Sequence, residues 1–218
     1  MRKLFTPLAI VAAAMFAYAP VAIAGAPYES TMLLVQKIFY FHISTWIALT
    51  AAISVCAVGS ALYLFKGSAQ ADRFAFASAE LAVVFCTFGL VSGSLWARKA
   101  WGQWWQWDAK LTMALLLELV FVGYLLVRKY AGPGAEKLAA AMGIFGAATA
   151  PFVYKAADWW RTIHPKTSVV PTLKPEMWNV VWFCAASFLL LFVLLLIMRV
   201  HLEERRAELD RLYLEAEA

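Results

Sequence analysis

Apolar residues fill this chain in long blocks rather than at the short periods of a half-buried strand or a surface helix. Six blocks, at residues 5–24, 37–65, 74–96, 111–129, 135–154 and 178–199, each approach or exceed the roughly 20 residues that cross a bilayer as a helix. Two of the stretches between them would be short inner loops: KGSAQADR at 66–73 and RKYAGPGAEK at 128–137. The pattern predicts an all-α polytopic membrane protein with six transmembrane helices, residues 1–199 forming one integral-membrane domain. Residues 200–218 alternate charges with leucines at helical spacing and predict a charged helical tail on the cytoplasmic side. The first block has two readings. Arg2, Lys3, an apolar stretch and Ala22-Ile23-Ala24 ahead of Gly25 have the form of a signal peptide, but the stretch is long for one, so a retained span is expected. Either way residue 25 lies on the outer side.

Composition agrees with the membrane reading: 63% of residues are hydrophobic and only 15% charged, too few charges for a soluble domain of this length. The net charge of +5 therefore bears on topology and local partners, and no nucleic-acid motif accompanies it. Six spans put both termini on one side. That side then holds 11 of the 19 Lys and Arg and the other holds 8, a weak positive-inside bias. The outer loops are unusually basic, with Arg98, Lys99, Lys110, Lys155, Arg161, Lys166 and Lys174: either the orientation is the reverse, or this face meets an anion. Cys56, Cys86 and Cys184 lie far apart in apolar segments, which implies neither a disulfide framework nor a CxxC pair. Without a CxxCH motif the chain is not itself a c-type cytochrome.

The tryptophans are more asymmetric than the charges. All ten fall on the outer side of this topology: Trp46, Trp96, Trp101, Trp104, Trp105, Trp107, Trp159, Trp160, Trp178 and Trp182. Aromatic belts serve both interfaces, so anchoring explains Trp178 and Trp182 but not the whole set. Four of them crowd into WGQWWQWDAKLT, residues 101–112, between the third and fourth spans. If that segment is helical, Trp101, Trp104, Trp105 and Asp108 share one face and Gln103 and Gln106 point away, a shelf for a large flat ligand. The competing reading is that Asp108 caps a helix starting near Ala109, which requires a break there. Lys110 either offers a cation to the ligand or snorkels to anchor the fourth span.

Two of the three histidines reach the same layer: His42 near the outer start of the second span, and His164 in the loop before the sixth. The third, His201, lies past the sixth span on the inner side. Imidazole is a standard axial ligand of haem iron. A bis-histidine site needs one nitrogen on each face of the macrocycle, an apolar wall and cations for the propionates; His42, His164, the tryptophans and the outer Lys and Arg supply these. Glu118 is a carboxylate about two turns into the fourth span, and the sequence does not identify its partner.

WGQWWQWDAKLT resembles the WWD signature of haem-handling membrane proteins, a family that includes the cytochrome c maturation proteins C and F and the system II protein CcsA. A histidine opening the second span (FYFHISTW) and one after a Trp-Trp pair in a later outer loop (DWWRTIH), on a short six-span chain, resemble the C branch, CcmC. The resemblance implies a protein without independent turnover that holds haem b at the periplasmic face of a bacterial inner membrane. It implies transfer of the haem to the chaperone CcmE, with the ABC transporter subunits CcmA and CcmB and the small membrane protein CcmD as partners. His42 and His164 carry over as the axial iron ligands. Trp101, Gly102, Trp104, Trp105, Trp107 and Asp108 carry over as the haem-binding segment, with Lys110 and Arg161 as cations beside it. Lys110 stands where many members have arginine, which keeps the charge but loses the bidentate fork. Three other readings remain at this point: a haem-exporting permease, an electron-transfer cytochrome b, and a scaffold whose aromatic face docks partner helices.

Overall fold

The computed structural model describes residues 2–166 and 172–217; residues 1, 167–171 and 218 lie outside the described part. Six helices account for nearly all of it: α1 Arg2–Gly25, α2 Ile38–Lys66, α3 Ala69–Trp101, α4 Ala109–Tyr130, α5 Ala135–Trp159 and α6 Pro175–Glu217. All six are long and apolar enough to span a membrane, as the block pattern predicts. A 3₁₀ turn, Leu34–Lys37, leads into α2. The helices overrun the apolar blocks because their polar ends continue the same backbone hydrogen bonding. The α2–α3 connection is thereby cut to Gly67 and Ser68, where an eight-residue loop was expected. Gly67 takes a left-handed φ of 65° and its N–H closes on the Tyr63 carbonyl at 2.9 Å, while the Ser68 hydroxyl accepts from the Ala71 N–H at 3.2 Å. The 43 residues of α6 would reach about 65 Å at 1.5 Å per residue, twice the roughly 30 Å hydrocarbon core, so the charged tail is a direct continuation of the sixth span.

Small residues set the packing, as expected where lipid tails remove the usual hydrophobic gain from helix association. Ala48, Ala52, Ala75, Ala79 and Ala82 are fully buried along α2 and α3, interleaved with Leu49, Ile53 and Phe85. At Gly59 the two helices approach so closely that an added Cβ would stand 2.6 Å from the Ala71 carbonyl oxygen. Phe121 and Tyr124 of α4, and Phe188 and Phe192 of α6, close the same core. Helix α1 rests on α6 through edge-to-face Phe16–Phe188 and Tyr18–Phe183 pairs. Glu118 acquires the partner missing from the sequence reading. Thr87 of α3 donates to its Oε1 at 2.7 Å, and Oε2 is buried without a partner.

One end of the bundle is tied by ion pairs and the other by aromatics. At the first, Arg128 donates both amino groups to Asp72 at 2.8 and 2.9 Å, joining α4 to α3. Arg199 joins α6 to α3 through Glu80 at 2.6 Å, and both guanidinium groups sit over the Phe76 ring. At the opposite end, Phe39, Tyr40, Trp96, Met177, Val181 and Cys184 form a second buried cluster. This is the tryptophan-rich end, and it carries His42 and His164.

Candidate functional site

Helix α3 stops at Trp101 because Gly102 turns left-handed at φ 76°, with the Arg98 side chain bonded to its carbonyl. Residues 102–108 are not helical, and α4 begins after Asp108, whose Oδ1 accepts the Leu111 N–H at 2.9 Å. The single helical face joining Trp101, Trp104, Trp105 and Asp108 therefore does not exist. Glycine at 102 and an N-cap aspartate at 108 override the helical periodicity, and the tryptophans spread along an irregular segment. Trp101 stacks on Trp96 at a 6.3 Å centroid distance and 24° between planes. Trp105 is half-buried, edge-on to Trp107 at 5.6 Å, with its Nε1 buried and unpartnered. Trp104 and Trp107 are exposed, at 58% and 74% of their surface. An apolar surface of this size invites a flat ligand or a partner.

His42 is buried, at 7% exposure, between Trp46 and Trp96, with edge-to-face centroid distances of 6.1 and 5.6 Å. Two glycines of α3 make the room. A Cβ on Gly93 would stand 3.1 Å from His42 Cε1, and one on Gly89 would stand 3.0 Å from the Trp46 indole. The ring nitrogen Nδ1 is 2.9 Å from Ser92 Oγ, and Ser92 donates its own proton to the Gly89 carbonyl at 3.1 Å. With that proton committed, Ser92 Oγ accepts from Nδ1–H, which leaves the Nε2 lone pair free.

His164 lies in the loop after α5 and is part-buried. Its Nδ1 is 2.8 Å from the Pro165 carbonyl, which only accepts, so this imidazole too is held as the Nδ1–H tautomer with a free Nε2. Burial and then the Lys110 charge push its basicity below the ordinary histidine value of 6.5, opposed by the Pro165 carbonyl and Asp108.

The expected cations divide. Lys110 donates to the Val153 carbonyl of α5 at 2.7 Å and lies toward Tyr154, an interhelical tie rather than a free charge. Arg161 is exposed, and among the described residues it forms no ion pair. Asp108 Oδ2 accepts from the Thr162 hydroxyl and from the Ile163 N–H at 3.1 Å, and Thr162 Oγ accepts the His164 N–H at 3.1 Å. Ser92 and Thr162 were missed by the sequence reading. Ser92 had a signal, lying four residues before Trp96 and so on the same helix face; Thr162 had none beyond its place in DWWRTIH.

These features define a class: a six-helix membrane protein that presents two neutral imidazoles at one aromatic end of its bundle. The family model described as Heme exporter protein C matches residues 1–214, and the chain belongs to that family, CcmC, whose members are haem-handling membrane proteins of cytochrome c biogenesis. It is 32% identical over 184 residues to Heme exporter protein C of Bradyrhizobium diazoefficiens, covering 80% of this chain and 67% of that protein. It is 29% identical over 191 residues to the protein of the same name from Escherichia coli K12, covering 82% and 76%. A putative cytochrome c biosynthesis ccmC-like mitochondrial protein of Marchantia polymorpha is 28% identical over 134 residues, 61% of this chain and 57% of its own.

Proposed function

We propose that this chain holds haem b at the periplasmic face of a bacterial inner membrane, ligated by His42 and His164, and presents it to the chaperone CcmE. CcmA, CcmB and CcmD are the partners of this reading. The observation that carries it is the matched pair of imidazoles, each fixed by its own Nδ1 hydrogen bond with Nε2 available. The donor set suits haem and not a bare ion. Among the described residues no three His, Cys, Asp or Glu side chains converge as a metal-binding group, whereas a porphyrin brings four nitrogens and needs only two axial ligands.

His42 and His164 would hold haem through their Nε2 atoms, and the group would supply the iron and a ring edge bearing the groups to be joined to the chaperone. The chain's own residues hold and orient. Ser92 and Pro165 keep the protons on Nδ1, so neither ligand must lose one on binding. Trp46 and Trp96 confine the His42 ring, and exposed Trp104 and Trp107 extend an apolar wall outward toward a docking partner. Arg161, exposed beside the His164 loop, supplies a cation for a propionate, while Lys110 contributes its charge from a fixed position. A cytochrome b reading has less support, because His164 sits in a loop rather than on a spanning helix. A haem path through the bundle also has less support: Glu118 is enclosed between α3 and α4 and bonded to Thr87.

The test is co-expression with the chaperone. Wild-type protein should yield chaperone carrying covalent haem, and His42→Ala or His164→Ala should abolish it while leaving the membrane protein present at normal levels. Undiminished labelling by either variant sinks the ligand assignment.

A further inference from the structure

Asp108 ends the tryptophan run, and both of its oxygens already accept hydrogen bonds within the protein. Oδ1 closes the first turn of α4 on the Leu111 N–H. Oδ2 takes two donors from the loop that follows α5, the Thr162 hydroxyl and the Ile163 N–H. Having given its proton to the carboxylate, Thr162 Oγ accepts the backbone N–H of His164 at 3.1 Å. One carboxylate thus joins the start of α4 to a turn 54 residues later, and the last link of that chain is the candidate iron ligand itself.

The geometry points to Asp108 as the positioning residue of His164, acting through Thr162 rather than by touching haem. The inference rests on His164 being a ligand. The chemistry suits the task. A carboxylate receiving three donors makes charge-assisted bonds, shorter and stronger than neutral ones, and a helix N-terminus favours its negative charge. The His164 backbone is then held by Thr162 and its ring by the Pro165 carbonyl, which sets both the place and the orientation of Nε2. It also makes the aromatic wall and the ligand one unit, because the residue that terminates Trp101–Trp107 is the residue that anchors the ligand's loop. An arginine or lysine could not replace it, since every partner is a donor.

Two substitutions separate this role from the others. Asp108→Asn keeps an oxygen for the Leu111 N–H, asparagine being as good an N-cap as aspartate, but sets an amide NH₂ against the Ile163 N–H. Thr162→Val keeps the shape, removes the relay and leaves Asp108 in place. The first readout is hydrogen–deuterium exchange of haem-free protein in detergent. The Ile163 and His164 amides should be protected in the wild type, both exposed in Asp108→Asn and His164 exposed in Thr162→Val, with Leu111 protected throughout. The second is the ferric haem spectrum and affinity. Both variants should lose low-spin character and bind haem about 10- to 100-fold more weakly, the cost typical of removing a ligand's supporting hydrogen bond. Free imidazole should restore the low-spin spectrum, as it should in His164→Gly. Thr162→Val matching the wild type in both readouts overturns the proposal. So does weak haem binding by Asp108→Asn with unchanged exchange at 163 and 164, which makes the carboxylate a direct contact. If His164→Gly loses its ligation while both variants keep theirs, the positioning role alone fails. If His164→Gly keeps the native spectrum, the ligand reading fails and the proposal with it.

Discussion

Ser92→Ala isolates the contribution of one hydroxyl to the proposed site. Ser92 Oγ is the hydrogen-bond partner of His42 Nδ1, at 2.9 Å, and the ring is only 7% exposed, so water has little access to replace it. A buried donor stripped of its acceptor costs about 1–3 kcal/mol. The ring can escape that cost by moving its proton to Nε2, but Nε2 is the nitrogen needed for iron, so the cost reappears on ligation. At about 1.4 kcal/mol per tenfold, haem affinity should fall roughly 10- to 100-fold, in line with the loss of other supporting bonds to metal-binding histidines. The assay is titration of haem-free protein in detergent, followed at the Soret band, with Ser92→Thr as control because threonine keeps the hydroxyl. Fold and expression should be unchanged, since α3 loses no backbone bond. A Ser92→Ala affinity within twofold of wild type, or equal losses in Ser92→Ala and Ser92→Thr, refutes the reasoning.

Further outcomes follow from other contacts. Because burial and Lys110 hold His164 below 6.5, protonation should not compete with its ligation until the pH falls below that value. Haem affinity should stay flat from pH 8 to about 6.5 and drop only beneath it, and Lys110→Gln should move the drop upward; an onset above 6.5 in the wild type contradicts this. Gly59→Ala drives a methyl to 2.6 Å from a backbone carbonyl that cannot move aside, so thermal unfolding in detergent should show a loss of about 1–3 kcal/mol. Asp72→Ala leaves the Arg128 guanidinium, at 15% exposure, without its carboxylate and should cost about 3–5 kcal/mol, largely recovered in the Asp72→Leu/Arg128→Met pair; an additive double variant argues against the pairing.

The spans were legible because a bilayer demands long apolar blocks, and block length survives any detail of packing. Their ends were less so: α3 extends to Trp101 and α6 to Glu217 because polar residues can continue a helix that apolar ones begin. The tryptophan segment was the main divergence. A helical wheel joins Trp101 to Asp108 only if no residue breaks it, and Gly102 in a left-handed conformation does so. The alternative open at the same point, Asp108 as an N-cap, is the one observed. What no periodicity carries is a contact between distant loops, so the Asp108–Thr162 bond and the His42–Ser92 pair appear only once the chain is folded.

The central claim is that His42 and His164 both bind one iron. Low-temperature EPR of the purified protein loaded with ferric haem tests it most directly, alongside His42→Ala and His164→Ala. The account predicts a low-spin bis-histidine signal in the wild type, converted in each variant to a high-spin signal that free imidazole reverses. A low-spin signal that survives unchanged in either variant contradicts it.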